Sequence, residues 1–98
     1  INILKGGKSM EKNNFNELLF EAILTLKTKE ELAKFFNDAC TPKETNAIAQ
    51  RFAVAKLLSE KKVYNEIIEK TGASTATISR VSRSMNEGFD IAFERLGK

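Results

Sequence analysis

The chain contains no histidine. That removes the usual general base and the commonest metal ligand. A single cysteine, Cys40, can form no intrachain disulfide, and no His/Cys cluster exists to hold zinc. Lying between apolar Ala39 and a helix start, it reads as a small buried hydrophobe. Gly6-Gly7 is a bare pair and makes no phosphate loop. With no nucleophile beside a base and no metal cluster, the composition argues against an enzyme and implies neither cofactor nor metal. No stretch approaches ~18 consecutive apolar residues, so no membrane span is expected. The start lacks the apolar run and small-residue cleavage site of a signal peptide, which makes the cytoplasm the default location. Strand-like alternation, internal repeats and low-complexity tracts are all missing.

What is present suits one helical domain. Ninety-eight residues at 42% apolar content bury roughly 60–70% of their unfolded surface, so the core is modest and a partner subunit would help. The net charge of +3 is unevenly placed. Residues 50–84 carry seven Lys and Arg against Glu60, Glu66 and Glu69, a local charge of +4. A basic segment of this kind is the electrostatic footprint of a polyanion partner.

Residues 1–13 have two glycines and no helical period. They read as a flexible N-terminal arm. Met10 is a candidate natural start and residues 1–9 a candidate expression-tag remnant; the other reading is a basic arm on a phosphate backbone. Residues 14–98 read as a single helical domain. Phe15, Leu18, Leu19, Ala22, Ile23 and Leu26 repeat at helical spacing. Thr28-Lys29-Glu30-Glu31 is a capping box, opening a second helix with Leu32, Phe35, Phe36 and Ala39 on its apolar face. Thr41-Pro42-Lys43-Glu44 joins a Thr N-cap to Pro at the first helical position and Glu at the third. The long helix that follows runs to about Glu60, with Ile48, Phe52, Ala55 and Leu58 on one face and Ala49 and Leu57 beside it. Lys61-Lys62 suits its negative end. A short helix, about Tyr64 to Lys70, ends at Thr71-Gly72-Ala73, where Gly72 fits a left-handed position. Ser74 can cap a helix from Thr75 to about Met85. After Asn86-Glu87-Gly88, residues Phe89, Ala92, Phe93 and Leu96 make a last amphipathic turn or two.

Two short helices joined by a Gly-containing turn, at about residues 64–85, form a helix-turn-helix pattern. Ile67, Ile68, Ala73, Ile78 and Val81 can pack the pair together. That leaves Thr75, Ala76, Ser79, Arg80 and Arg83 outward. Small side chains let a helix backbone approach the floor of a major groove about 12 Å wide. Thr methyls and Ala can touch thymine methyls, hydroxyls can bond base edges or phosphates, and Arg can grip guanine or a phosphate. No acid occurs from residue 71 to 86 to repel the phosphates. Tyr64, Asn65 and Lys70 on the first helix, with Ser74 at the turn, are placed for contacts that set register. The same pattern also serves plain protein contact, so the alternative is a helix-turn-helix interaction or dimerisation module without specific DNA binding.

The run TPKETNAIAQRFAVAKLL, followed by YNEIIEKTGASTATISRVSRS, resembles the Trp-repressor superfamily, and within it the YerC/YecD-type branch. The resemblance covers about residues 15–96. Its most specific parts are Thr41-Pro42, the Gln50-Arg51 pair, and Gly72-Ala73 followed by Ala76-Thr77-Ile78-Ser79-Arg80. It implies an all-α fold of six helices in an intertwined homodimer, with N-terminal helices packed on the partner. It also implies a transcriptional regulator, a repressor by type, reading a palindromic operator in double-stranded DNA. In the parent family tryptophan binds between the long helix and the recognition helix, and the matching positions are Thr41, Arg51, Arg80 and Ser84. The position after the recognition-helix arginine is glycine there and Val81 here. That side chain is expected to project into the flat slot and close it, which predicts no binding of tryptophan and leaves any other effector open.

Overall fold

The computed structural model describes residues 14–97. The N-terminal arm read from the sequence lies outside the described residues. Six helices are described, and no strand among the described residues: α1 Phe15–Leu24, α2 Lys29–Ala39, α3 Pro42–Ser59, α4 Tyr64–Thr71, α5 Thr75–Ser84 and α6 Glu87–Leu96. They fall into two compact units divided between Ala39 and Cys40.

The first unit holds α1 and α2. Helix α1 stops two residues before the end of its apolar repeat, where the Thr25 hydroxyl donates to the Ala22 carbonyl at 2.6 Å. Helix α2 opens as its capping sequence predicts, with one difference. The Thr28 hydroxyl accepts from the Glu31 amide at 3.0 Å, but the Glu31 carboxylate accepts from Lys27 at 2.8 Å, one residue beyond the expected partner. Neither helix buries a residue fully, and Phe15, Leu19, Phe20, Leu24 and Leu32 remain exposed.

The second unit holds α3 to α6 around a small core. Thr41 and Glu44 close the predicted capping box, with Pro42 inside the first turn. Helix α3 contributes Val54 and Ala55, both fully buried. Ile48, expected on its core face, is 47% exposed, while Val54 was not expected there. The difference arises because α3 carries apolar side chains on more than one side, so periodicity alone cannot choose between them. Cys40, expected to be buried, is half-buried just before the Thr41 cap.

Helix α3 ends with Lys61 at φ 65°, a left-handed residue. The Lys61 amide donates to the Leu58 carbonyl and the Lys62 amide to the Leu57 carbonyl, at 3.0 and 3.1 Å. That is the bond pattern usually built on glycine. Helix α6 starts earlier than the apolar repeat suggested, because the Asn86 side chain caps it from the Glu87 amide at 3.0 Å. It is held on α3 by an aromatic cluster: the Phe52 ring meets Phe89 edge-on at 5.3 Å and Phe93 at 5.1 Å.

Candidate nucleic-acid interface

Helices α4 and α5 are joined by Gly72, Ala73 and Ser74. Gly72 sits at φ 72°, ψ 6°, and its amide closes α4 on the Ile68 carbonyl at 2.8 Å. A side chain here would be opposed by the backbone angle alone, since no atom lies within 4 Å of an added Cβ. The Thr71 hydroxyl donates to the Ile67 carbonyl at 2.7 Å and accepts from the Ala73 amide at 3.1 Å. The Ser74 hydroxyl then caps α5, accepting from the Thr77 amide at 3.1 Å. Every turn residue thus has a local chemical reason for its place.

Beneath the turn lies the core the sequence anticipated. Ile67 of α4, Ala73 of the turn, and Ile78 and Val81 of α5 are buried against Val54 and Ala55 of α3. Ile68 packs at the edge of this cluster and is only partly buried. The buried positions on α5 fix which side of that helix faces out.

The outward side holds Thr75, Ala76, Arg80 and Arg83, all exposed. Ser79 is half-buried and so borders this side rather than standing on it. Neither arginine is ion-paired with an acid among the described residues. The first turn of α5 carries no acid, which leaves the positive end of the helix dipole uncompensated. On α4, Tyr64 and Asn65 are exposed. The Lys70 ammonium lies 3.1 Å from the Glu66 carboxylate, an exposed pair that a phosphate can displace at little cost. Ser74 is exposed, but its hydroxyl is engaged by Thr77 both as acceptor and as donor.

A second feature lies behind α5. A cavity of about 420 Å³ is lined by Ile48 and Arg51 of α3, Val81 and Ser84 of α5, and Asn86, Gly88 and Phe89 beyond it. Of the four positions matched to an effector site, Arg51 and Ser84 line it, whereas Thr41 and Arg80 do not. Val81 belongs both to this wall and to the buried core, so it walls the space beside Arg51 and Ser84 without closing it, contrary to expectation. Asn86, Gly88 and Phe89 were not foreseen as lining residues, because the sequence marks them only as a helix break and an apolar repeat.

A family described as Trp repressor protein matches residues 14–96 of the chain. The chain belongs to the Trp repressor family. As a member it is a helix-turn-helix, DNA-binding regulatory protein and not an enzyme. It is 48% identical over 81 residues to the uncharacterised protein YerC of Bacillus subtilis strain 168, covering 80% of this chain and 78% of that one. The crystal structure of a TrpR-like protein from Eubacterium eligens ATCC 27750 aligns with a TM-score of 0.79 at 57% identity, covering 83% of this chain and 87% of that one. A candidate Trp repressor from Staphylococcus aureus aligns with a TM-score of 0.82 at 37% identity, covering 96% of this chain and 93% of that one. The six-helix, all-α order is therefore that of other Trp repressor family members. No helix among the described residues is long and apolar enough to cross a membrane.

Proposed function

We propose that this Trp repressor family member is a sequence-specific transcriptional regulator, a repressor by type, that binds duplex DNA as a homodimer and needs no tryptophan to do so. The observation that carries the reading is the outward side of α5: exposed Thr75, Ala76, Arg80 and Arg83, free of acids, on a helix fixed from behind by buried Ile78 and Val81. Such a side fits a major groove, with hydroxyls and methyls toward base edges and guanidinium groups toward guanine or phosphate. Tyr64, Asn65 and Lys70 supply backbone contacts that set register.

The dimer is supported by apolar surface. Phe15, Phe20 and Leu24 of α1, and Ile91 and Leu96 of α6, are at least half exposed, with Phe20 at 57% and Leu24 at 83%. Each unit thus exposes large apolar side chains of its own, which a partner subunit would cover. A two-fold dimer would present its two α5 helices to successive major grooves about 34 Å apart, and so read a palindrome. The tryptophan-independent reading is supported by Val81, whose side chain stands in the wall of the cavity.

The test is selection of duplexes from a random pool by the full chain, followed by binding at several salt concentrations. The expected result is an enriched palindrome and an affinity that falls linearly in log K with log salt. Arg80→Ala and Arg83→Ala should each weaken binding. Where the guanidinium removed had bound a phosphate, the salt slope should also fall by about 1. Light scattering should report a dimer. A chain that enriches no sequence yet binds a protein partner through the same helices is instead an interaction module.

A further inference from the structure

The Gln50-Arg51 pair stands at the centre of α3, and the two side chains serve different neighbours. Arg51 lines the cavity beside Val81. Gln50, one residue earlier, sends its side-chain amide to the Thr71 carbonyl at 3.1 Å, in a half-buried position. We propose that Gln50 is a positioning residue for DNA reading: its bond to Thr71 sets the angle at which the helix-turn-helix, and so α5, sits on α3. This inference rests on the DNA-binding reading above.

Thr71 is the last residue of α4, and its carbonyl is one of those a helix end leaves without an intrahelical partner. Left-handed Gly72 then turns the chain away. The Thr71 hydroxyl is already engaged by Ile67 and Ala73, within its own helix and turn. Only the carbonyl bond reaches out to another element, across 21 residues of sequence, while the side-chain caps of α2, α3 and α5 each span three. Three residues later, Ser74 starts α5.

Apolar burial fixes which side of α5 faces out, but it sets the tilt of the helix-turn-helix on α3 less sharply than a directional bond does. Val54, Ile67 and Ile78 gain from leaving water whatever their exact tilt. A hydrogen bond weakens steeply as its angle departs from linearity, so it fixes orientation. Gln50 lies one helical turn before buried Val54, on the same side of α3. It therefore joins the edge of the core to the polar turn that launches the recognition helix.

The experiment compares the full wild-type chain with Gln50→Met, which keeps length but has no donor, and Gln50→Lys, which keeps a donor. Amide hydrogen exchange is measured first, without DNA. Gln50→Met should exchange faster at Gly72 and Ala73 by roughly 2- to 10-fold, the worth of one hydrogen bond, while Val54 and Ile78 keep wild-type rates. Gln50→Lys should restore the slow exchange. Wild-type exchange at Gly72 and Ala73 in Gln50→Met overturns the proposal whatever the DNA result. The second measurement is the ratio of affinities for a wild-type-selected duplex and for the unselected pool. Added lysine charge strengthens both alike, so the ratio isolates positioning. Gln50→Met should lower it several-fold and Gln50→Lys should recover it. A loosened turn with an unchanged ratio also overturns the proposal. A wild-type chain that selects no duplex removes the DNA reading, and the exchange result alone then decides whether Gln50 holds the turn.

Discussion

The Thr41 hydroxyl accepts a hydrogen bond from the Glu44 amide at 3.2 Å, and the Glu44 carboxylate accepts one from the Thr41 amide at 2.8 Å. The reciprocal pair satisfies two backbone donors at the start of α3, the helix that carries the buried pair Val54 and Ala55. Thr41→Ala should cost about 1 kcal/mol, read as a lower midpoint in urea unfolding. The Thr41 amide, and then its hydroxyl, hold the Glu44 carboxyl below its ordinary pKa. A lowered folded pKa means the stabilisation is fully present above the ordinary carboxylate value and fades as pH falls through the folded one. Glu44→Gln keeps an acceptor at the same position. It should therefore melt somewhat below wild type at neutral pH, lose less stability in acid, and approach wild type there.

Ala76 is exposed in the first turn of α5. A carboxylate there suits the helix dipole and disturbs no buried contact. Ala76→Glu should accordingly leave helix content and melting temperature unchanged or slightly raised. The same carboxylate would meet phosphates in a groove, so duplex binding should fall at least tenfold at low salt. A variant that binds as well as wild type would place the DNA contact elsewhere.

Two residues share a left-handed backbone with opposite consequences. Gly72 at φ 72° is the type that position favours, whereas Lys61 at φ 65° is not. Gly72→Ala should destabilise by about 1 kcal/mol through the dihedral alone, since nothing stands near the new methyl. Lys61→Gly should stabilise by a few tenths to about 1 kcal/mol, a gain offset partly by the entropy of the unfolded chain. Urea unfolding of both variants checks the signs. Equal stability in the pair would mean the two turns relax.

Tryptophan at millimolar concentration should leave both the melting temperature and the duplex affinity of the wild-type chain unchanged. A ligand bound to the folded state at 100 times its Kd would stabilise it by about 2.7 kcal/mol, which a melting curve detects readily. Val81→Ala, which trims a side chain only 3% exposed, should cost about 1–3 kcal/mol. A melting shift on adding tryptophan to wild type would overturn the effector-independent reading.

Much of this architecture was legible because the signals are short-range. Thr41-Pro42 with Glu44, and Thr71-Gly72-Ala73 with Ser74, each contain their own hydrogen-bond partners within a turn or two, so composition alone marks the boundary. The outward set on α5 followed from Ile78 and Val81 being one turn apart. What the sequence hid depends on distant parts of the chain. Val54 lost out to Ile48 because α3 is apolar on several sides and only its neighbours decide which one is covered. The Gln50 bond to Thr71 leaves no local pattern at all. Lys61 adopts a backbone that its side chain disfavours, and the reach of Glu31 to Lys27 is a register detail one residue wide. Arg51 and Ser84 come together beside the cavity without Thr41 and Arg80, a selection that only tertiary packing makes.

Val81 faces two ways, filling the interior behind α5 and walling the cavity next to Arg51 and Ser84. Any substitution that widens this hollow by trimming Val81 therefore also thins the packing that backs α5, so the shape of the hollow and the firmness of the helix are set by one side chain.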